Sequence, residues 1–388
     1  MNKNLLAVCS FFLFVSAFGQ KKITLEDGVL QQNRAFRADK LLGFQWIPNS
    51  TQYIYFGDSG KKLMTATTAN ASASELVTLA DLNKATGADF KSFFGIDWKN
   101  ANTFILANGN KIYEYNTTSK TGKLVTDLGE NAENTTFDDS KNKIAFTEKN
   151  NLYFLDGSTK VAITNETNEA IVSGQFFARN EFGINHGIFW SPKSNLIAFY
   201  QKDQTEVADY PLLDITVTPG KLDNIKYPMI GQKSEKPRVG IYNTATKKTV
   251  FISPKGKSDD YLTNLAWTPD EKYVIIAELN RGQNDMHLNL YDANTGAFIR
   301  TLLDQENGTW VEPEHPAFFP SEKSNNFVWI SEEEDGFNNL YYYNIEGKLI
   351  KKLTFEQIRH QRNHRRESCR NRSLFLCYRR ESDEYARL

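Results

Sequence analysis

The chain repeats one pattern of apolar and polar positions six times. An aromatic residue comes first, a short polar turn follows, and a run of apolar residues comes next. The aromatic residues are Trp46, Trp98, Phe137, Trp190, Trp267 and Phe319. The runs that follow them are residues 53–56, 103–106, 143–146, 196–199, 273–276 and 327–330. Short runs of this kind, rich in aromatic and β-branched residues, predict β-strands.

Several copies continue into a second strand after a turn. Asn108-Gly109-Asn110 precedes one aromatic run, and Asp292-Ala293-Asn294-Thr295-Gly296 follows another. Asn-Gly and similar pairs tolerate positive φ and therefore close antiparallel hairpins. Repeats of roughly 40–50 residues built from such hairpins are typical of propeller blades. The pattern predicts an all-β fold, a β-propeller of about six blades.

Two stretches interrupt this rhythm. The interval from Trp190 to Trp267 is longer than the others and carries Tyr210-Pro211 and Tyr227-Pro228. We interpret it as one blade with an elaborated insertion. Residues 170–186 form a loop-like stretch before the strand at Trp190. Long insertions of this kind are usually functional or lie over a binding face.

Composition argues against some classes of function. The 388 residues have a formal net charge of −1, which argues against nucleic acid as a partner. After residue 20 no stretch has the roughly 18 consecutive apolar residues of a membrane-spanning helix. The three cysteines are Cys9, Cys369 and Cys377. The stability of the body therefore has to come from blade packing and not from disulfide bonds.

The first 19 residues have the features of a signal peptide. Lys3 supplies the positive region, residues 5–18 are apolar, and Ala17-Phe18-Gly19 fits a cleavage site. The alternative is a buried N-terminal helix, but the apolar run is short and well punctuated. We expect a mature protein that starts near Gln20 and is exported to the periplasm, the cell surface or the medium.

The last residues, 355–388, differ from the rest. Nine of the fifteen arginines fall there, and the segment contains no lysine. The alternating pattern also stops at Leu353-Thr354. We interpret this segment as a frameshifted, disordered tail, because a shifted reading of residues 371–387 can restore a strand and a turn. A genuine basic tail is the alternative.

Between Gln175 and Asn243 the residues are specific enough to indicate a family. Three motifs carry the resemblance: Arg179-Asn180-Glu181-Phe182-Gly183-Ile184, residues 199–207 (Phe-Tyr-Gln-Lys-Asp-Gln-Thr-Glu-Val), and Tyr227-Pro228-Met229-Ile230-Gly231. Trp310-Val311-Glu312-Pro313 and residues 335–341 also match. The chain resembles the N-terminal propeller of dipeptidyl peptidase IV-type serine exopeptidases, in the bacterial branch that includes prolyl tripeptidyl peptidases. The resemblance covers roughly residues 23 to 354.

The resemblance implies an eight-bladed propeller that caps an α/β-hydrolase domain with a Ser-Asp-His triad. The chain contains no Gly-x-Ser-x-Gly nucleophile elbow. We therefore expect three regions: a signal peptide over 1–19, about six blades of the propeller over 20–354, and the tail over 355–388. The α/β-hydrolase domain is missing, so this chain is expected to be inactive alone.

By resemblance, the loop Arg179-Asn180-Glu181 presents carboxylate to the free amino terminus of a substrate. Many family members have two adjacent glutamates there, whereas this chain has Asn180-Glu181. A carboxylate in a partly dry site binds an ammonium ion through a charge-assisted hydrogen bond. The alternative is a solvated carboxylate, or one that is paired with Arg179.

The sequence thus predicts the propeller of an exported exopeptidase that releases di- or tripeptides after proline or alanine. A non-catalytic propeller that binds peptides or proteins is the alternative. An oligopeptidase with another cleavage rule fits the motifs less well. We expect peptides with a free N-terminus as partners, a homodimer in the full-length enzyme, and no nucleic acid, membrane span, metal or cofactor.

Overall fold

The computed structural model describes residues 22–31, 41–69, 72–306, 308, 310–332, 337–355, 358–366, 373–379 and 385–387. For residues 179 and 180, and beyond 355, it describes the backbone alone. The expected signal peptide over residues 1–19 lies outside the described residues.

Six antiparallel sheets follow one another along the described chain from Gln45 to Lys352. Sheet 1 contains β1 (Gln45–Trp46), β2 (Gln52–Gly57), β3 (Lys62–Thr67) and β4 (Ser74–Thr78). Sheet 2 contains β5 (Asp97–Asn100), β6 (Thr103–Asn108), β7 (Lys111–Asn116) and β8 (Thr121–Asp127). Sheet 3 contains β9 (Ala132–Phe137), β10 (Ile144–Glu148), β11 (Asn151–Asp156) and β12 (Thr159–Ala162).

The second half of the chain continues this arrangement with one addition. Sheet 4 contains β13 (Ile171–Ser173), β14 (Ile188–Trp190), β15 (Leu196–Asp203), β18 (Lys236–Asn243) and β19 (Lys248–Phe251), and the separate hairpin is β16 (Asp209–Asp214) with β17 (Lys221–Lys226). Sheet 5 contains β20 (Tyr261–Trp267), β21 (Tyr273–Leu279), β22 (Asp285–Asp292) and β23 (Phe298–Glu306). Sheet 6 contains β24 (Phe327–Ser331), β25 (Asn339–Tyr343) and β26 (Leu349–Lys352).

The repeated pattern of the sequence corresponds in several sheets to two neighbouring strands and the turn between them. In sheet 1, sheet 4 and sheet 5 the aromatic residue ends the first strand, the polar turn follows, and the apolar run is the next strand. Trp46 pairs with Tyr53, Trp190 with Ile197, and Trp267 with Val274. In sheets 4 and 5 the strands that carry the apolar run, β15 and β21, are buried on both faces, because neighbouring sheets cover them. In sheet 1 the corresponding strand β2 is mostly half-buried.

Each sheet packs against the next one along the chain. One apolar cluster joins sheets 1 and 2, a second joins sheets 2 and 3, and a third joins sheets 3 and 4. The largest cluster joins sheets 4, 5 and 6 and includes Tyr200, Trp267 and Trp329. Consecutive small meanders that bury their faces only against their neighbours are the architecture of a propeller. The prediction of an all-β propeller is therefore confirmed.

Polar side chains in the turns also link neighbouring sheets. Buried Asp138, after β9, accepts a hydrogen bond of 2.7 Å from Ser194 Oγ in the turn of sheet 4. It also accepts the backbone N–H groups of Asn142 and Lys143, both at 2.8 Å. Glu271 of sheet 5 accepts the backbone N–H of Lys193 in sheet 4 at 2.6 Å. These bonds fix the turns of one blade against those of the next.

The described chain has one α-helix, α1 (Leu79–Thr86), between sheets 1 and 2. Thr78 and Asp81 form a reciprocal capping box at its start, and Gly87 ends it in the left-handed conformation. Leu82 is fully buried against sheets 1 and 2. Shorter helical turns are Asp27–Gln31, Asp58–Gly60 and Ala178–Gly183.

The long interval before Trp267 is one blade with an insertion, as predicted. Strands β15 and β18 pair without interruption from Leu196 with Asn243 to Asp203 with Lys236. The excursion from Gln204 to Glu235 therefore leaves and returns at one point of sheet 4. It contains the hairpin β16–β17, which pairs with itself alone among the described strands. Its apolar side chains are exposed, for example Leu213 at 65% and Leu222 at 58%.

The segment for which the sequence predicts disorder contains regular backbone where the structure describes it. Strands β27 (Ile358–Arg366), β28 (Ser373–Arg379) and β29 (Tyr385–Arg387) form a three-stranded antiparallel sheet. Residues 373–379 read Ser-Leu-Phe-Leu-Cys-Tyr-Arg, an aromatic and apolar run that favours a strand in spite of the flanking arginines. The frameshift interpretation of this segment stays a prediction.

Candidate functional site

The motif that carries the resemblance forms a short 3-10 helix, Ala178–Gly183, between β13 and β14 of sheet 4. Apolar residues fix both ends of this helix. Phe177 is buried and packs edge-on against Tyr200 with ring centroids 4.8 Å apart. Phe182 is buried and lies 4.9 Å from the ring of Tyr261 in sheet 5. The helix is therefore held between two neighbouring blades.

The backbone of this loop is strained. Ala178 and Phe182 have φ values of 56° and 53°, in the left-handed region that non-glycine residues rarely adopt. Gly183 follows with a φ of 70°. A Cβ atom at Gly183 would lie 2.1 Å from the carbonyl oxygen of Glu314, so only glycine fits this contact. Strain of this kind persists only where the surrounding structure imposes it, and it is common at binding sites.

Glu181 is exposed in this loop. Its backbone carbonyl accepts the N–H of Ile184 at 2.9 Å, which closes the turn. Among the described residues, its carboxylate has neither a hydrogen-bond donor nor a cationic partner. The loop therefore presents an open carboxylate whose backbone position is fixed. Such a group can receive an ammonium ion without first breaking an ion pair to any of the described side chains.

Arg179 and Asn180, the other two predicted binding residues, lie in the same 3-10 helix. The structure describes their backbone alone. The predicted alternative, an ion pair between Arg179 and Glu181, therefore falls outside the described side chains. The role of both residues stays a prediction.

Glu235, a residue that the sequence did not indicate, binds the backbone at the start of the 3-10 helix Ala178–Gly183. Its Oε1 accepts the backbone N–H of Ala178 at 3.0 Å. Its Oε2 accepts Gln204 Nε2 at 3.1 Å and lies 3.9 Å from Lys202 Nζ. Because these contacts use both carboxylate oxygens, Glu235 positions the loop and is not free for a ligand. It is close to Gln204 because β15 and β18 pair up to Asp203 and Lys236.

The segment from Trp310 to Glu314 forms the second wall of the site. The backbone N–H of Val311 donates to the carbonyl of Gln283 at 2.8 Å, and Asn264 Nδ2 donates to the carbonyl of Pro313 at 2.7 Å. The carbonyl of Glu314 then meets Gly183. The sequence singled out this segment by its Trp-Val-Glu-Pro motif, and the structure brings it against the Glu181 loop.

Asn264 depends on a feature that sequence reasoning did not find. It is buried and has a φ of 53° at a bulge in β20, where the pairing with β21 shifts between Thr263 and Ala266. The bulge turns its amide toward Pro313. Nothing in the apolar pattern of β20 marks this position except an asparagine within a buried strand.

Metal-ligating clusters, membrane-spanning helices and the histidine of β22 are three further features to consider among the described residues. The described part of the chain contains no group of three or more His, Cys, Asp or Glu side chains arranged to hold a metal ion. Among the described helices none has the length and apolarity that crossing a bilayer requires. His287 of β22 has an exposed ring beside Asp285 and Asp304 and lies on the surface.

Comparison with known proteins identifies the family. The model of the dipeptidyl peptidase IV N-terminal region matches residues 105–383, most of the chain. The propeller described above therefore belongs to the dipeptidyl peptidase IV N-terminal region family.

Solved structures agree with this assignment. A dipeptidyl aminopeptidase IV homologue from Bacteroides ovatus superposes with a TM-score of 0.76 at 30% identity, covering 90% of this chain and 51% of that one. Porphyromonas gingivalis dipeptidyl peptidase 4 superposes with a TM-score of 0.72 over 95% of this chain and 56% of that one. At 18% identity, this second likeness supports the fold alone.

Curated relatives match a shorter stretch. The probable dipeptidyl-aminopeptidase B of Phaeosphaeria nodorum is 26% identical over 245 residues, covering 53% of this chain and 26% of that protein. That of Colletotrichum graminicola is 29% identical over 216 residues, covering 49% and 23%. The chain thus spans about a quarter of the curated relatives and about half of the solved structures that it matches.

Proposed function

We propose that this chain is the propeller part of an exported serine exopeptidase that removes di- or tripeptides after proline or alanine. In this proposal Glu181 binds the free amino terminus of the peptide. The observation that carries it is a carboxylate without a partner among the described side chains, on a strained loop, in a chain of the dipeptidyl peptidase IV N-terminal region family. Family membership supports the proposed reaction class, and the loop supports the proposed contact.

A propeller that binds the amino terminus of a peptide would determine how many residues are released. An amine that is fixed at one point places each following peptide bond at a set distance from that point. A nucleophile in a fixed position then reaches only the bond that lies at the right distance. The amine contact itself is a charge-assisted hydrogen bond, worth about 1.5–3 kcal/mol. The packing of Phe177 and Phe182 at the two ends of the loop supports this role, because a loop that is held in place does not have to be ordered when the peptide binds.

A hydrolysis assay tests the reaction class. The full-length enzyme, isolated from cells that make it, is offered an Ala-Pro reporter with a free amino terminus and the same reporter after N-acetylation. We expect hydrolysis of the free reporter alone, together with labelling by a fluorophosphonate probe that reacts with activated serines. Binding of the free peptide without hydrolysis or labelling would instead establish the second candidate, a peptide-binding propeller without catalysis.

Export and assembly belong to the same proposal. The apolar segment near the N-terminus and its Ala17-Phe18-Gly19 site support export, and N-terminal sequencing of the mature protein should begin near Gln20. We also propose a homodimer for the full-length enzyme. Light scattering after gel filtration should give twice the mass of one chain, and a monomer at micromolar concentration would rule the dimer out.

A further inference from the structure

The turn between β21 and β22, residues 280–284, contacts both walls of the proposed amine site. Its sequence is Asn-Arg-Gly-Gln-Asn. The first wall is the loop that carries Glu181, and the second is the segment from Trp310 to Glu314. The two walls are far apart in the chain, and one short turn of sheet 5 reaches each of them through a different residue.

Asn280 defines the shape of this turn. Its Oδ1 accepts the backbone N–H of Asn284 at 3.0 Å and that of Asp285 at 3.3 Å, and its Nδ2 donates to Asn284 Oδ1 at 2.8 Å. Its backbone carbonyl accepts the N–H of Gln283 at 2.9 Å. An asparagine that bonds to the backbone of the following residues in this way closes a turn locally. The turn therefore has a defined conformation of its own.

Arg281 joins the turn to the first wall through two aromatic rings. Its guanidinium lies over the ring of Tyr261, 4.4 Å from the centroid. The ring of Tyr261 lies 4.9 Å from the ring of Phe182, the buried residue that follows Glu181. A guanidinium over an aromatic face is attracted by the ring, and its stem covers apolar surface. Arg281 therefore restrains the ring against which the loop packs.

The guanidinium of Arg281 has no competing partner in the described part of the chain. The residue is exposed, and its side chain forms neither an ion pair nor a hydrogen bond with any residue that the structure describes. Its position therefore depends on the ring of Tyr261 and on the turn that carries it. A guanidinium that is held in this way acts on the ring and not on a charged partner.

Gln283 joins the same turn to the second wall. It has a φ of 54°, and its carbonyl accepts the backbone N–H of Val311 at 2.8 Å. Three residues further along, the carbonyl of Glu314 meets Gly183 of the Glu181 loop. The contacts thus form a closed circuit, which runs from the loop through Tyr261 and the turn to the second wall and back to the loop.

We propose that Arg281 is a positioning residue for the amine site. It holds Tyr261 against Phe182 and thereby fixes the backbone of the loop that carries Glu181. Gln283 of the same turn holds the second wall, so the two walls keep a constant relation. The inference rests on the proposed function, in which Glu181 binds the amino terminus of a peptide. Arg281 acts through the loop and does not touch the peptide.

The dependence of binding on the peptide amine measures this role. The full chain is titrated with Ala-Ala-Pro-Ala and with its N-acetylated form, and the ratio of the two affinities reports the amine contact. Arg281→Met should lower this ratio about fivefold, because a displaced carboxylate loses much of a charge-assisted hydrogen bond. A general loss of stability would weaken both peptides equally and leave the ratio unchanged. A wild-type ratio in Arg281→Met would overturn the proposal.

Two further variants connect the effect with the ring contact. Arg281→Lys keeps a cation that can lie over Tyr261, so its ratio should stay within about twofold of wild type. Arg300→Met removes another exposed arginine of sheet 5, in β23, and should leave the ratio intact. An equal loss in Arg281→Lys and Arg281→Met, or a similar loss in Arg300→Met, would contradict a role through the ring.

Amide hydrogen exchange separates this inference from the proposed function, because it needs no peptide. The N–H groups of Ala178 and Ile184 are both bonded in the wild-type loop. Their exchange should be at least about threefold faster in Arg281→Met and close to wild type in Arg281→Lys, while the amides of β15 stay unchanged. If acetylation does not affect binding to wild type, the proposed function fails, and exchange alone decides about Arg281. Unchanged exchange in the loop would refute the positioning role.

Discussion

Glycine at position 183 allows the Glu181 loop to approach its neighbouring segment. The position combines a φ of 70° with a backbone oxygen where a Cβ atom would stand. Gly157 is a natural comparison, because its φ is 63° but nothing lies within 4 Å of its missing Cβ. Alanine at Gly157 therefore measures the free-energy cost of a left-handed backbone alone. Alanine at Gly183 measures that cost together with the cost of displacing Glu314.

Gly183→Ala is expected to displace the loop, whereas Gly157→Ala is not. Both variants pay about 1–2 kcal/mol for the left-handed conformation. Gly183→Ala also has to move the Glu314 carbonyl, so it should lose further stability and weaken the binding of free-amine peptides at least fivefold. Thermal melts and peptide titrations measure both effects. Identical behaviour of the two variants would show that the contact with Glu314 is unimportant.

Asp138 is a carboxylate with four hydrogen bonds, one of which crosses from sheet 3 to sheet 4. Burial opposes its charge, but hydrogen bonds from Ser140, Lys143, Ser194 and Asn142 outweigh burial and lower its pKa. A lowered pKa in the folded state means that the folded protein binds this proton less readily than the unfolded chain does. The stabilisation is therefore present above the unfolded pKa and is lost as the pH falls through the folded pKa.

Asp138→Ala should destabilise the chain by about 1–3 kcal/mol at pH 7, because it leaves the buried Ser194 hydroxyl and two part-buried backbone N–H groups without their acceptor. The difference from wild type should shrink on acidification, since the wild-type carboxylate then loses its charge. Asp89→Ala removes a carboxylate that is 77% exposed and should change stability by less than about 1 kcal/mol. Denaturant melts between pH 3 and 7 measure both; a difference that does not depend on pH would contradict the account.

At the scale of elements, the hairpin β16–β17 stands apart from the core. Strands β15 and β18 pair up to Asp203 and Lys236 without it, and the largest apolar cluster contains none of its residues. The residues on either side of it, Gln204 and Glu235, are bonded to each other and hold the loop at Ala178. The hairpin should therefore be dispensable for folding, while its base should not.

Replacing residues 208–230 with a short Gly-Ser linker should leave the unfolding temperature within about 3 °C of wild type. The reason is that the removed strands bury little apolar surface against the blades. A matched change at the base, Glu235→Ala, should instead weaken peptide binding, because it frees the N–H of Ala178. Differential scanning calorimetry measures the stability of the linker variant, and peptide titration measures the binding of Glu235→Ala. A large loss of stability in the linker variant would mean that the hairpin belongs to the core.

The elements that the sequence predicted best are those with a simple period. The aromatic, turn and apolar run predicted one strand in each of the six sheets, namely β2, β6, β10, β15, β21 and β24, because strands that pack between neighbouring sheets need such runs. Positions such as Asn264, Glu235 and Ala178 were not predictable. Their roles depend on a bulge, a long excursion and a left-handed backbone, and these bring together residues that are far apart in sequence.

At the scale of the whole molecule, the account joins two properties. Successive blades pack into a continuous core, and that core fixes one strained loop whose carboxylate is unpaired among the described residues. The fold is shown by the structure and by the family match. The central functional claim is narrower, namely that the carboxylate of Glu181 holds the amino terminus of a peptide.

A double-mutant cycle tests that claim most directly. Wild type and Glu181→Gln are each titrated with Ala-Ala-Pro-Ala and with its N-acetylated form. Acetylation should weaken binding to wild type by about 10–100-fold, the range for a charge-assisted hydrogen bond, and binding to Glu181→Gln by less than about twofold. If acetylation weakens binding equally in both proteins, Glu181 does not hold the amine, and the account of this site is wrong.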